Sequence, residues 1–217
     1  MAPGGIVFDN DGLLLDTEPC WTRAERRVFE RHGRSFDLAA KQALVGTAPE
    51  TAARVLERLL ELPGRGGELS AELHALALDE IAAGAEPRPG AVELLDELRG
   101  RWPVAVASNA PRTHLVAGLT RTRLLGRFDA VLGVEEVAAP KPAPDLYLRA
   151  CELLAVSPAR SVVLEDSPPG VAAARAAGMY VLGVPSVPGV VLDADVVFDS
   201  LADPLVRDTI SAHLAPA

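Results

Sequence analysis

The chain has 217 residues, a formal net charge of −9 and a 49% hydrophobic composition. That length supports one sizeable core plus a smaller insert, and the apolar content excludes a disordered or fibrous chain. The acidic balance argues against a nucleic-acid surface, and no apolar run approaches the ~18–20 residues that a membrane span needs.

The first element is a short buried strand over residues 4–9, two glycines and then Ile6, Val7 and Phe8, followed by a turn at Asn10 to Gly12. A helical block follows over about residues 18–84. Apolar residues at helical spacing, such as Val55, Leu56, Leu59 and Leu60, predict helices over 19–32, 38–44, 49–60 and 70–83. Breaks at 33–35, Gly46 and 63–67 separate them, and the segment 84–90, with Pro87 and Pro89, reads as a linker.

From residue 90 the pattern becomes alternating helix and strand. Helices are predicted over 91–98, 113–119, 144–154 and 168–177, and strands over 104–107, 130–132, 161–164, 180–184 and 196–198, before a terminal helix. Ser167 is placed to cap the 168–177 helix, which carries prolines in its first turn and Gly178 at its end. Alternation of this kind predicts an α/β fold, a parallel sheet with helices on both faces. The expected division is a core of residues 1–16 and 86–217, interrupted by an all-helical domain of residues 17–85 that is either a lid able to rock over the sheet or a second, rigidly packed lobe.

Three short motifs end three of the predicted strands: Asp9-Asn10-Asp11-Gly12, Ser108-Asn109 and Glu165-Asp166-Ser167. In open α/β sheets ligands bind outside the carboxyl ends of the strands, so the three converge on one rim. A carboxylate at Asp9 or Asp11 can attack phosphorus, and a second carboxyl can protonate the leaving oxygen and then activate water. Asp-x-Asp-Gly is also a common turn and a fragment of calcium loops, although residues 13 to 15 are all leucine and supply no further ligand. Glu165 and Asp166 place two carboxylates side by side, an arrangement that suits Mg²⁺ and that an acidic helix cap would also show. Ser108 and Asn109 offer hydroxyl and amide donors to a phosphoryl oxygen, or alternatively an N-cap for the segment from Pro111. Two of the 21 basic side chains are lysines, Lys41 and Lys141, and Lys141 sits between Pro140 and Pro142. There it could bind a transferring group and restrain a nucleophile's charge. Cys20 and Cys151 show no framework spacing and the N-terminal residues show no secretion signal, so a cytoplasmic protein is expected.

With these motifs and Lys141-Pro142-Ala143-Pro144-Asp145 together, the chain resembles a haloacid dehalogenase (HAD) superfamily phosphatase of the sugar-phosphatase and β-phosphoglucomutase-like subgroup. The resemblance implies a Rossmann-like parallel-sheet core with a helical cap inserted after the first strand. It makes Asp9 the nucleophile, Asp11 the general acid/base, and Ser108 and Lys141 the phosphoryl binders. It places Mg²⁺ on Asp9, the backbone carbonyl of Asp11, and Asp166, with Glu165 acting directly or through water. True dehalogenases lack the second aspartate of the first motif, so Asp11 favours phosphoryl transfer. The implied reaction is hydrolysis of a small phosphate ester, a sugar or polyol phosphate, by a monomer or weak homo-oligomer without nucleic-acid or membrane partners. Trp21, Arg23, Gly46 and Thr47 are the expected contacts to the leaving group. The alternatives are a phosphosugar mutase and a catalytically silent ligand-binding protein. The mutases typically carry a histidine at Trp21 and basic residues at Val45 and Pro49.

Overall fold

The computed structural model describes residues 3–44, 47, 49–187 and 189–215. The chain forms two compact units, residues 1–16 with 86–217 and residues 17–85.

The first unit is built on a six-stranded sheet. Its strands are β1 (Ile6–Phe8), β4 (Val104–Ala107), β5 (Ala130–Leu132), β6 (Val162–Glu165), β7 (Tyr180–Gly183) and β8 (Val196–Val197). Their order is β5-β4-β1-β6-β7-β8, with every neighbouring pair parallel. Strands buried on both faces read as continuous apolar runs, as β1 and β4 do. Side chains alternate between the faces: Ile6 and Phe8 enter one core and Val7 the other. The first core takes Leu94 and Leu95 from α5 (Ala91–Leu98), Leu115 and Leu119 from α6 (Arg112–Arg121), and Val206 and Ile210 from α9 (Pro204–Leu214). The second takes Leu146, Tyr147 and Ala150 from α7 (Asp145–Leu154) and Val171 and Ala174 from α8 (Pro168–Ala176). The topology is the doubly wound α/β arrangement that the alternation predicts. β1 lies at the switch point, with β4 on one side and β6 on the other.

The connection between β1 and the rest of the sheet differs from the sequence expectation. The linker before residue 90 is not free loop: β3 (Glu86–Pro87) pairs antiparallel with β2 (Leu15–Asp16). The Arg88 N–H also donates to the Leu14 carbonyl. Chain leaving β1 and chain re-entering the sheet are therefore hydrogen-bonded to each other. Two-residue strands are too short to leave a periodic signal, and Pro87 reads as a breaker.

The second unit is helical: α1 (Glu18–Arg31), α2 (Leu38–Leu44), α3 (Pro49–Leu60) and α4 (Gly66–Gly84). Its core comes from one stripe per helix, such as Ala24 and Val28, then Ala52, Leu56 and Leu60, then Leu69, Leu73 and Leu76. Helix α4 begins four residues before the predicted 70. The Gly66 N–H donates to the Glu57 carboxylate at 2.7 Å, so Gly66 and Gly67 form a first turn rather than a break. Lys41 lies between Glu18 and the buried Glu25, at 2.9 and 2.8 Å. No helix among the described residues is long and apolar enough to cross a membrane.

Leu56 is fully buried and Leu38, in the same unit, is 72% exposed. Leu56→Ala should cost about 2–5 kcal/mol of unfolding free energy in urea, through lost transfer energy and the cavity left behind. Leu38→Ala should stay within about 0.5 kcal/mol of wild type in the same measurement.

Candidate active site

The predicted site residues of the first unit meet at the carboxyl ends of β1, β4 and β6. Asp9 follows β1, and its N–H donates to the Leu164 carbonyl of β6. Ser108 follows β4, and Glu165 closes β6 with Asp166 next in the chain. Lys141 comes from the loop after β5 and is only 6% exposed. Its ammonium donates three hydrogen bonds, to Asp9 Oδ1 at 2.6 Å, Glu165 Oε1 at 2.7 Å and the Ala107 carbonyl at 2.9 Å. All three Nζ–H donors are used, each on the end of a different strand.

The Asn109 carboxamide is committed otherwise than expected. Its oxygen accepts from the Lys141 N–H at 2.8 Å and its amino group donates to the Lys141 carbonyl at 3.1 Å. This reciprocal pair fixes the Lys141 backbone, so Asn109 holds the cation's stem rather than offering its side-chain amide to a ligand. The Ser108 hydroxyl donates to Asp11 Oδ2 at 2.9 Å and accepts from the Ala110 N–H. Strand alternation does not explain how Asp11 joins Asp9, because β1 ends at Phe8. The turn does, with Gly12 at φ +85° and the Asn10 carbonyl accepting from both the Leu14 and Leu15 N–H groups.

Glu165 is fully buried and its carboxylate is saturated. Oε2 accepts from the N–H groups of Asp166 and Ser167 and from the Ser167 hydroxyl, at 3.0 to 3.1 Å. Oε1 accepts from Lys141 and, at 2.5 Å, from the Tyr147 hydroxyl. The same Ser167 hydroxyl caps α8 by accepting from the Gly170 N–H.

Asp9, Glu165 and Asp166 each offer a carboxylate oxygen within 4.8 Å of the others. This acidic cluster is the kind of donor set that holds a divalent metal. Burial raises the Asp9 carboxyl well above its ordinary range; Lys141 opposes this, while Glu165, Asp166 and Asp11 add to it. Asp166 is pushed up to about 7 by burial and by Glu165, against the hydrogen bond it receives from Ser186. Burial alone would lower the Lys141 ammonium, but Asp9 and Glu165 outweigh it and hold it above its ordinary value. Tyr147 is held protonated by burial and by Glu165.

Three contributors were not found by sequence reasoning. Tyr147 touches both Lys141 and Glu165, and Ser186, after β7, bonds Asp166. Gly170 is the third: a Cβ there would stand 1.7 Å from Glu165 Oε1. An aromatic six residues beyond Lys141, in a chain with 4% aromatics, was the one available signal.

The expected leaving-group contacts lie in the helical unit. The Trp21 ring packs edge-on to His74 at 5.6 Å and against the apolar core. The Arg23 guanidinium is paired with Glu80 at 2.6 Å, and the Thr47 hydroxyl donates to the Leu44 carbonyl at 2.8 Å. Gly46 and Val45 lie outside the described residues. Among these side chains Arg23 is the one whose charge is already matched, which weakens it as a ligand contact.

Gly170→Ala should force the start of α8 away from Glu165 and disorder the Lys141 contacts. We expect a stability loss of about 1–3 kcal/mol by urea unfolding, the usual cost of overpacking. A variant of unchanged stability would show that α8 can yield without disturbing Glu165.

A family model of haloacid dehalogenase-like hydrolases matches residues 4–178. Fructose-1-phosphate phosphatase YqaB of Escherichia coli is 35% identical, over 83% of this chain and 95% of the relative. A phosphorylated carbohydrates phosphatase of Thermotoga maritima is 31% identical, over 80% of this chain and 81% of the relative. Among solved structures, CbbY from Rhodobacter sphaeroides in complex with phosphate superposes with a TM-score of 0.81 at 28% identity, covering 94% of this chain and 96% of that one. With an acidic rim built around one buried ammonium, and with phosphatases among its relatives, the chain belongs to the haloacid dehalogenase-like hydrolases as a phosphomonoester hydrolase.

Proposed function

We propose that the protein is a Mg²⁺-dependent phosphatase that hydrolyses a small sugar or polyol phosphate through an aspartyl-phosphate. The observation that carries this reading is the contact of Lys141 with Asp9 inside a cluster of four carboxylates. Asp9 can attack phosphorus only when ionised, yet burial and three neighbouring acids favour its protonated form. One ammonium does not balance that charge, so a second cation belongs to the working site. The donors are hard carboxylate oxygens, which suit Mg²⁺. Asp9 and Asp166 would hold it, with the Asp11 backbone carbonyl. Glu165, whose oxygens already accept five hydrogen bonds among them, is assigned to anchor Lys141 and to reach the metal at most through water. When bound, Mg²⁺ would offset carboxylate charge and polarise a phosphoryl oxygen.

Asp9 Oδ then forms a bond to phosphorus as the ester P–O bond breaks, and Asp11 gives its proton to the departing alkoxide. Lys141 and the Ser108 hydroxyl stabilise the phosphoryl oxygens. In the second half, Asp11 takes a proton from water, whose oxygen bonds to phosphorus and releases Asp9 and inorganic phosphate. Residues 17–85 are assigned as the cap domain that selects the leaving group, with Trp21 and Thr47 as candidate contacts. The YqaB and Thermotoga relatives, named for fructose 1-phosphate and for phosphorylated carbohydrates, support a sugar-type leaving group.

Phosphate release should be measured across sugar, polyol and nucleotide monophosphates, with and without a chelator. Turnover should require Mg²⁺ and favour sugar or polyol esters. Asp9→Asn, whose amide cannot attack, should lose more than about 10⁴-fold in kcat. An isomeric ester formed from a hexose 1-phosphate without released phosphate would replace this reading by a mutase.

A pH test follows from Asp166. Its folded-state value of about 7 lies above the ordinary 3.8, so the folded protein gains a proton as pH falls. Without metal, this group destabilises the fold most above about pH 7 and progressively less down to about pH 4. Mg²⁺ takes the proton's place, so it should raise Tm little at about pH 5 and clearly at about pH 8. Equal Mg²⁺ shifts at both pH values would contradict metal binding at this cluster.

A further inference from the structure

The Lys141 ammonium has no N–H left over. Each is given to Asp9, Glu165 or the Ala107 carbonyl. To bind a phosphoryl oxygen it must release or share one of these partners. Releasing Asp9 would strip the nucleophile, and the Ala107 carbonyl is fixed in the backbone at the end of β4. Glu165 is the remaining partner, but it is fully buried, and a buried carboxylate oxygen left without a donor is strongly destabilising.

The structure contains a second donor at that oxygen. The Tyr147 hydroxyl lies 2.5 Å from Glu165 Oε1, the same atom that Lys141 contacts at 2.7 Å. Tyr147 is fully buried on α7. Its ring lies under the ammonium, with Nζ 4.7 Å from the centroid, and so attracts the cation wherever it turns above the ring face. Glu165 cannot swing to find another donor, because three hydrogen bonds hold Oε2 and Gly170 lies against the carboxylate.

We propose that Tyr147 is a positioning residue for phosphoryl transfer: its hydroxyl keeps Glu165 Oε1 satisfied while Lys141 turns from Glu165 to the phosphoryl group. Tyr147 acts through Lys141 and does not touch the substrate. The proposal rests on the phosphatase reading above and assigns that site a residue outside its motifs.

The test compares wild type with Tyr147→Phe, which keeps the ring and removes only the hydroxyl. Tm and Mg²⁺ affinity by calorimetry should be close to wild type. The kcat for a sugar phosphate and the affinity for orthovanadate, which mimics the transferring phosphoryl group, should each fall about tenfold, with KM little changed. The wild-type protein gives a second readout that needs no turnover. The chain has two lysines, so the ¹⁵N resonance of Lys141 Nζ can be assigned against Lys41 and followed as vanadate is added. It should shift in wild type and shift much less in Tyr147→Phe. Active wild type with an equally active variant, or equal Nζ shifts in both, overturns the role of Tyr147 alone. Wild type that neither turns over any ester with Mg²⁺ nor shifts Nζ with vanadate overturns the phosphatase reading and this proposal with it.

Discussion

One buried ammonium holds the site together. Through Asp9, the Ala107 carbonyl and Glu165, Lys141 joins the carboxyl ends of β1, β4 and β6, three adjacent strands of the sheet. Without that charge, four carboxylates would crowd one rim with nothing to offset them. The geometry also explains why this cation is a lysine in a chain whose basic residues, Lys41 apart, are otherwise arginines. An ammonium directs three donors away from one point and can meet three separate strand ends. A guanidinium spreads its donors in a plane and suits a single flat partner. Asn109 completes the arrangement by fixing the lysine's backbone on both its N–H and its carbonyl.

The same cluster trades stability for reactivity. Burying Asp9 and Asp166 costs free energy whenever both are ionised, and the raised values of the two carboxyls record that cost. The fold tolerates it because the neutral side chains around the acids are committed to them. Ser167 serves Glu165 and caps α8 with one hydroxyl, Ser108 serves Asp11, and Ser186 serves Asp166. Two glycines make the approach possible. A Cβ at Gly12 would stand 2.3 Å from Asp166 Oδ2, and one at Gly170 would overlap Glu165. Small residues here are a steric requirement of packing carboxylates against backbone.

Much of this was legible in the sequence, because buried parallel strands are short apolar runs and their ends carry the motifs. The strands over 104–107 and 130–132 and the helices over 38–44, 49–60 and 91–98 follow directly from pattern, and β1 lies inside the strand expected over 4–9. The β2–β3 pair was not legible, since two residues cannot establish a period and one of them is proline. The early start of α4 was hidden because its cap comes from Glu57, on another helix. The polar commitments escaped for the same reason. Spacing shows which side chains a strand end carries, but not that Asn109 turns to Lys141 or that Tyr147 reaches Glu165 across 18 residues.

Glu165 and Asp166 illustrate how neighbouring residues of one type are separated in role by their surroundings. Side by side in sequence, they read as two carboxylates suited to Mg²⁺, Asp166 as a ligand and Glu165 acting directly or through water. In the structure β6 ends on Glu165, which turns into the core and meets five donors; the next residue falls outside the strand and keeps 9% of its surface exposed. The Glu165 oxygens are already taken up by those donors, whereas burial and Glu165 both press on the charge of Asp166. Glu165 therefore adds negative potential beside Asp166, and with burial it pushes the Asp166 carboxyl up.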